Sequence, residues 1–125
     1  MSKLFKKIII YDKLKEQRVK KVLKISTEFR KGILFIRLAG RIDNEGYIDK
    51  IKRLIDTVGI RYIVLNLNEL QFISLDSIKH IINYNEQILK EKKKLLICDA
   101  SDIRNRLFKD IIPNIKSEID AFSLI

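Results

Sequence analysis

Ser74, Asp76, Ser77 and His80 fall within one short stretch, and Cys98 follows. Hydroxyl, carboxylate, imidazole and thiol are the groups of nucleophilic and acid–base chemistry. Their scarcity argues against an enzyme. His80 is the sole histidine and Cys98 the sole cysteine. A catalytic thiol needs a base beside it, and a common metal site needs more such ligands than this. There is no G-x-S-x-G and no triad. Asp43, Asp49, Asp56, Asp99 and Asp102 are scattered. Asp43 and Asp99 each follow a predicted strand, where α/β sheets place sites, but no glycine-rich phosphate loop accompanies them. We therefore expect no catalytic residue, no metal and no cofactor. What remains is a short polar segment, residues 74–77, at the start of a helix, whose unpaired N–H groups face outward and favour anions.

The surrounding elements must position that segment. Residues 22–30 alternate, with Leu23, Ile25, Thr27 and Phe29 on one face, as in a half-buried strand. Lys31-Gly32 makes a tight turn, and residues 33–38 complete a hairpin that ends in Ala39-Gly40-Arg41-Ile42-Asp43. A helix over about 47–58 carries Ile48, Ile51, Leu54, Ile55 and Val58 on one face, with Gly59 to stop it. Residues 62–67 form a buried strand, and Asn68-Glu69-Leu70-Gln71 follows. Ile78, Ile81, Ile82, Ile88 and Leu89 then recur at helical spacing to about Glu91, where Lys92-Lys93-Lys94 closes the helix. Residues 95–98 are another strand, and Cys98 within it reads as a buried core thiol. Ser101 is the N-cap of a helix over 102–112, with Ile103, Leu107, Phe108 and Ile111 as its buried stripe and Pro113 as its end. The tail, residues 115–125, reads as a short strand, a short helix, or both. The order ββαβαβα predicts an α/β fold. Its sheet is mostly parallel, of four to five strands, with an N-terminal antiparallel hairpin and helices chiefly on one face.

A chain of 125 residues suits one domain. We divide it into a basic N-terminal extension, residues 1–20, and a domain over residues 21–125. The net charge of +10 is uneven: residues 1–31 hold 11 Lys or Arg against 3 acids, and residues 32–125 hold 15 against 13, so the latter stretch is nearly neutral. In the extension, Leu4, Phe5 and Ile8-Ile9-Ile10 interleave with Lys3, Lys6 and Lys7, as a short amphipathic helix or an extra edge strand would. Such a segment could dock an acidic partner or touch an anionic membrane peripherally. Nucleic-acid binding is disfavoured, because aromatic residues are few there and no recognised motif is present. No apolar run approaches the roughly 20 residues of a membrane span. The single thiol fits a reducing compartment, so a cytoplasmic location is expected.

The strands and the polar segment together resemble the STAS domain, the fold of anti-sigma-factor antagonists and of the cytoplasmic tails of sulfate transporters. Leu38-Ala39-Gly40-Arg41-Ile42-Asp43 is similar to that family's L-x-G-x-[LI]-D. Residues 62–70 resemble its strand plus turn, V-V-L-D-L-S-x-[VL], and Phe72-Ile73-Ser74-Leu75-Asp76-Ser77-Ile78 falls on its F-[IM]-D-S-S/T-G-L. In the family an aspartate precedes a serine that is phosphorylated. Aligned without a gap, Ser74 takes the aspartate position, Leu75 the phospho-serine, Asp76 the second hydroxyl and Ser77 the glycine. Phe72, Ile78, Ile81 and Ile82 then fall on expected core positions.

Leucine has no hydroxyl, so the usual switch cannot operate at Leu75. Phosphorylation adds about −1.5 to −2 charge beside donors that favour anions. Asp76 puts a permanent carboxylate in that first turn and would mimic a fixed state; the plainer reading is ordinary helix capping by Ser74. Ser74 and Ser77 are the hydroxyls left for a kinase. The resemblance implies a non-enzymatic protein of signal transduction and transcription regulation. It would bind an anti-sigma factor, a related serine kinase or another STAS protein. The contact residues would be Asp43, Ser74, Leu75, Asp76, Ser77 and Ile78. The alternative it implies is a structural STAS subunit of a lipid-exporting ABC transporter, with no phospho-switch.

Overall fold

The computed structural model describes residues 23–43, 46–56, 59–108 and 111–124. The extension over residues 1–20 lies outside them, as does Val58. The first strand, β1 (Lys24–Arg30), runs into the turn at Lys31 and Gly32. Both turn residues have positive φ, 52° and 84°, which is the two-residue hairpin geometry that matches strand twist. Gly32 takes that conformation without cost. The second strand, β2 (Ile33–Ile42), returns antiparallel with Arg30 opposite Ile33.

The rest alternates: helix α1 (Gly46–Asp56), strand β3 (Tyr62–Ile73), helix α2 (Leu75–Lys90), strand β4 (Lys94–Cys98), helix α3 (Asp102–Phe108) and a two-residue strand β5 (Asn114–Ile115). A 3-10 helix, Glu118–Ser123, ends the described chain. The tail is thus both strand and helix. The sheet order is β1-β2-β3-β4-β5, with every pair after the hairpin parallel. This is the expected α/β architecture.

Three helices cover one sheet face. Ile48, Ile51 and Ile55 of α1 and Ile78, Ile81 and Ile88 of α2 bury against the even-numbered apolar side chains of β2 and against Ile63, Leu65, Leu67, Leu70 and Ile73 of β3. Tyr84 of α2 donates its hydroxyl to Asp56 at the end of α1, 3.0 Å away. The opposite face carries Ile33, Phe35, Val64, Leu96 and Cys98, and among the described residues it is the terminal 3-10 helix that packs on it. An ion pair holds that helix down: Arg37 Nε and Nη2 donate to both oxygens of Glu118, each at 2.8 Å, while Asn66 donates to the same carboxylate at 2.7 Å.

Five expectations need correction. The strand expected over 62–67 continues to Ile73, because β2 runs alongside it and supplies partners as far as Ile42. The turn that the resemblance implied within residues 62–70 is absorbed by register shifts at Arg37/Ala39 and Gly40/Arg41, with Gly40 at φ 105°. Helix α3 stops at Phe108, and Ile103 (72% exposed), Leu107 and Ile111 face outward, so only Phe108 of the expected stripe is buried. The inward face of α3 is instead Arg104 and Phe108, one turn apart. Leu89 is also exposed, since Ile88 takes the core position. Thr27 and Phe29 do not share the burial of Leu23 and Ile25.

Candidate functional site

Ser74 is the N-cap of α2, with extended backbone at φ −71° and ψ 154°. Its Oγ accepts from the backbone N–H of Ser77 at 3.1 Å and its hydroxyl lies 2.9 Å from Ser77 Oγ. Its own N–H donates to Ile42 O at 2.9 Å. That bond ties the helix start to the end of β2, so Asp43, one residue on, sits beside the Ser74 turn. Both Asp43 and Asp76 are exposed. Leu75, the first residue of α2, is 56% exposed. A large aliphatic side chain at a helix start, held outward by the cap that precedes it, loses favourable burial unless another surface covers it.

Two of the expected contact residues lie elsewhere. Ser77 is fully buried and its hydroxyl is engaged by Ser74; Ile78 is buried against the sheet. Neither offers a side chain to a partner in this conformation. A helix places successive residues about 100° apart, so Leu75 and Asp76 point out while Ser77 and Ile78 point in. Phe72, expected in the core, is 38% exposed, and the Arg41 guanidinium stacks over its ring at 4.3 Å. Ile82 is only half-buried. The local shift in register at Gly40/Arg41 brings Arg41 opposite Phe72. The sequence held one hint of this, a glycine inside a strand, which marks bulges. The outward surface is therefore Asp43, Phe72 with Arg41, Leu75 and Asp76, at one end of the sheet.

The other acid at a strand end behaves differently. Asp99 is completely buried. Arg104 meets it through Nε to Oδ2 at 2.7 Å and Nη2 to Oδ1 at 3.1 Å. The same guanidinium donates to the carbonyls of Leu70 (3.1 Å) and Leu67 (3.2 Å). Arg104 thus clamps the stretch of β3 that leads to Phe72 and Ser74. Buried charge is stable only when paired and hydrogen-bonded in this way. Cys98, just before it, is a core thiol whose pKa is pushed up to about 11, first by burial and then by Glu118, Asp99 and Asp120. Burial disfavours the thiolate, the nucleophilic form, and shields the sulfur from solvent. Among the described residues no three His, Cys, Asp or Glu side chains gather as a metal site, and no helix is long and apolar enough to cross a membrane.

The STAS domain family model matches residues 24–119. The chain belongs to the STAS domain family. An anti-sigma factor antagonist from Mycobacterium paratuberculosis superposes with a TM-score of 0.72 at 14% identity, over 84% of this chain and 95% of that one. The anti-sigma factor antagonist SpoIIAA in its unphosphorylated form gives a TM-score of 0.66 at 17% identity, over 81% and 96%. A protein from Shewanella loihica with a SpoIIAA-like fold gives 0.52 at 17% identity, over 82% and 92%. Likeness at such identities establishes the fold.

Proposed function

We propose that this chain is a cytoplasmic, non-enzymatic regulator that binds another protein through the start of α2. The partner is an anti-sigma factor, its related serine kinase, or another STAS protein. The observation that carries this reading is Leu75, a solvent-facing aliphatic side chain at the first position of the helix, with Asp43 and Asp76 beside it. The apolar side chain supplies the buried contact and the carboxylates supply orientation. The surface is constitutive. Position 75 has no hydroxyl, Ser77 is sealed, and the Ser74 hydroxyl is occupied as a cap.

The test is binding of the purified chain to candidate anti-sigma factors and kinases by calorimetry. A Leu75→Lys variant should bind at least about tenfold more weakly, with an unchanged circular dichroism spectrum. No binding to any candidate at micromolar concentration, or equal binding by the variant, refutes the reading. Incubation with kinase and ATP, followed by mass spectrometry, should leave Ser74 and Ser77 unmodified; stoichiometric phosphate on Ser74 overturns the constitutive part.

A second reading draws on the same leucine. A switchless STAS subunit of a lipid-type ABC transporter needs no hydroxyl at this place. Co-purification of a transporter ATPase, in place of a kinase or anti-sigma factor, selects it.

A further inference from the structure

Three arginines are drawn into the fold, and they differ in what neutralises them. Arg37 Nη2 donates to Glu28 at 2.7 Å and to Glu118 at 2.8 Å. Arg104 closes on Asp99. Arg41 meets an aromatic ring instead: its guanidinium carbon lies 4.3 Å from the centroid of Phe72, its neighbour across β2 and β3. Its Nε is buried with no hydrogen-bond partner, and among the described residues no carboxylate pairs with this side chain.

That arrangement favours an acid from outside. Stacking on Phe72 immobilises a long side chain, and burial of Nε removes part of its water. Lost side-chain freedom and lost hydration are the two costs that ordinarily cancel the gain from an ion pair. At Arg41 folding has already met a share of both, so an incoming carboxylate gains more here than at a solvated lysine. Arginine is also among the residue types that dominate interface energies. The surroundings supply the rest of a contact: Phe72 is 38% exposed and Leu75, three residues on, is 56% exposed.

We infer that Arg41, held on Phe72, determines which partner this surface accepts, by pairing with one carboxylate set beside an apolar side chain of a partner protein. The inference rests on the reading that the start of α2 is the contact surface, and adds the chemistry its partner must carry. The partner's apolar side chain covers Phe72 and Leu75. Its carboxylate matches the planar fork of the guanidinium in two places, which a neutral acceptor does not do with charge. A polyanion fits less well, because exposed Asp43 and Asp76 share this end of the sheet and repel a row of phosphates.

Calorimetry with the anti-sigma factor or serine kinase tests this. Arg41→Gln should weaken the complex at least about thirtyfold, with an unchanged circular dichroism spectrum. Arg41→Lys keeps the charge without the fork and should fall between. Substituting the partner's surface acids one at a time by their amides should reveal one whose loss weakens binding to the unsubstituted chain but not to Arg41→Gln. Equal binding by Arg41→Gln, while Leu75→Lys still weakens the complex, overturns this inference and leaves the contact surface standing. A scan that finds no coupled acid does the same. No complex with any candidate overturns both. Sedimentation equilibrium that shows a dimer dissociated by Arg41→Gln overturns the inference and assigns Arg41 to pairing between copies. Retention on phosphatidylserine vesicles that Arg41→Gln abolishes overturns it in favour of a membrane surface.

Discussion

Helices α2 and α3 start alike and end up opposite. Each follows a parallel strand, each is preceded by a serine whose Oγ accepts from an N–H three residues on, and each has an aspartate in its first turn. At α2 the serine cap points Leu75 and Asp76 outward, and the sheet end beside them stays open. At α3 the neighbouring Asp99 is buried, and Arg104 from the first turn reaches back to close over it. One junction leaves its first-turn side chains exposed; the other is closed and holds the first in place. Local capping signals are the same in both. The difference comes from whether a cation from the same helix is available to neutralise an acid at the strand end.

The largest effect comes from breaking the closed junction. Arg104→Met leaves Asp99 buried without its partner and should cost about 3–5 kcal/mol by urea denaturation. Combining it with Asp99→Asn should recover part of that loss, and a double-mutant cycle measures the coupling. At the open junction Leu75→Lys should change stability by no more than about 0.5 kcal/mol, despite its effect on binding. Ser74→Ala removes the cap and should cost about 1 kcal/mol. A comparable loss from Ser101→Ala is not expected, because its bond is longer, 3.3 Å, and its helix shorter.

The smallest effect is on the other sheet face. Arg37 first, then Asn66, hold the Glu118 carboxyl below its ordinary value of 4.5. Its folded form therefore favours the ionised state more than the unfolded chain does. That contribution is complete above about pH 4.5 and disappears as pH falls further. Glu118→Gln should flatten the acid side of a stability profile, measured by denaturation between pH 3 and 6, and leave the slope in the neutral region unchanged.

Much of the fold was legible in residues alone. The Lys31-Gly32 turn, the parallel order and the burial of Ile48, Ile51 and Ile55, though not of Leu54, follow from periodicity and turn chemistry, which depend on neighbours in the chain. The family resemblance carried Ser74–Leu75 to the right helix start. Three features were not legible. Asn68-Glu69 looks like a turn, but strand pairing with β2 pulled it into β3. Ile103, Leu107 and Ile111 form an orderly stripe, yet it faces solvent. Phe72 sits in a motif that places it in the core, and the register shift at Gly40/Arg41 brings it to the surface.

Order and type of elements, hairpin geometry and the cap at Ser74 were decided by short-range physics: hydrogen bonds and side-chain spacing within a few residues. Which side chains face out was decided only by the assembled molecule. A stripe is buried if another element is there to cover it, and an acid is buried if a cation arrives from elsewhere to pair with it. Arg104 lies five residues from Asp99 and more than thirty from the β3 carbonyls it also binds. Contacts that distant along the chain exist only once the sheet has formed.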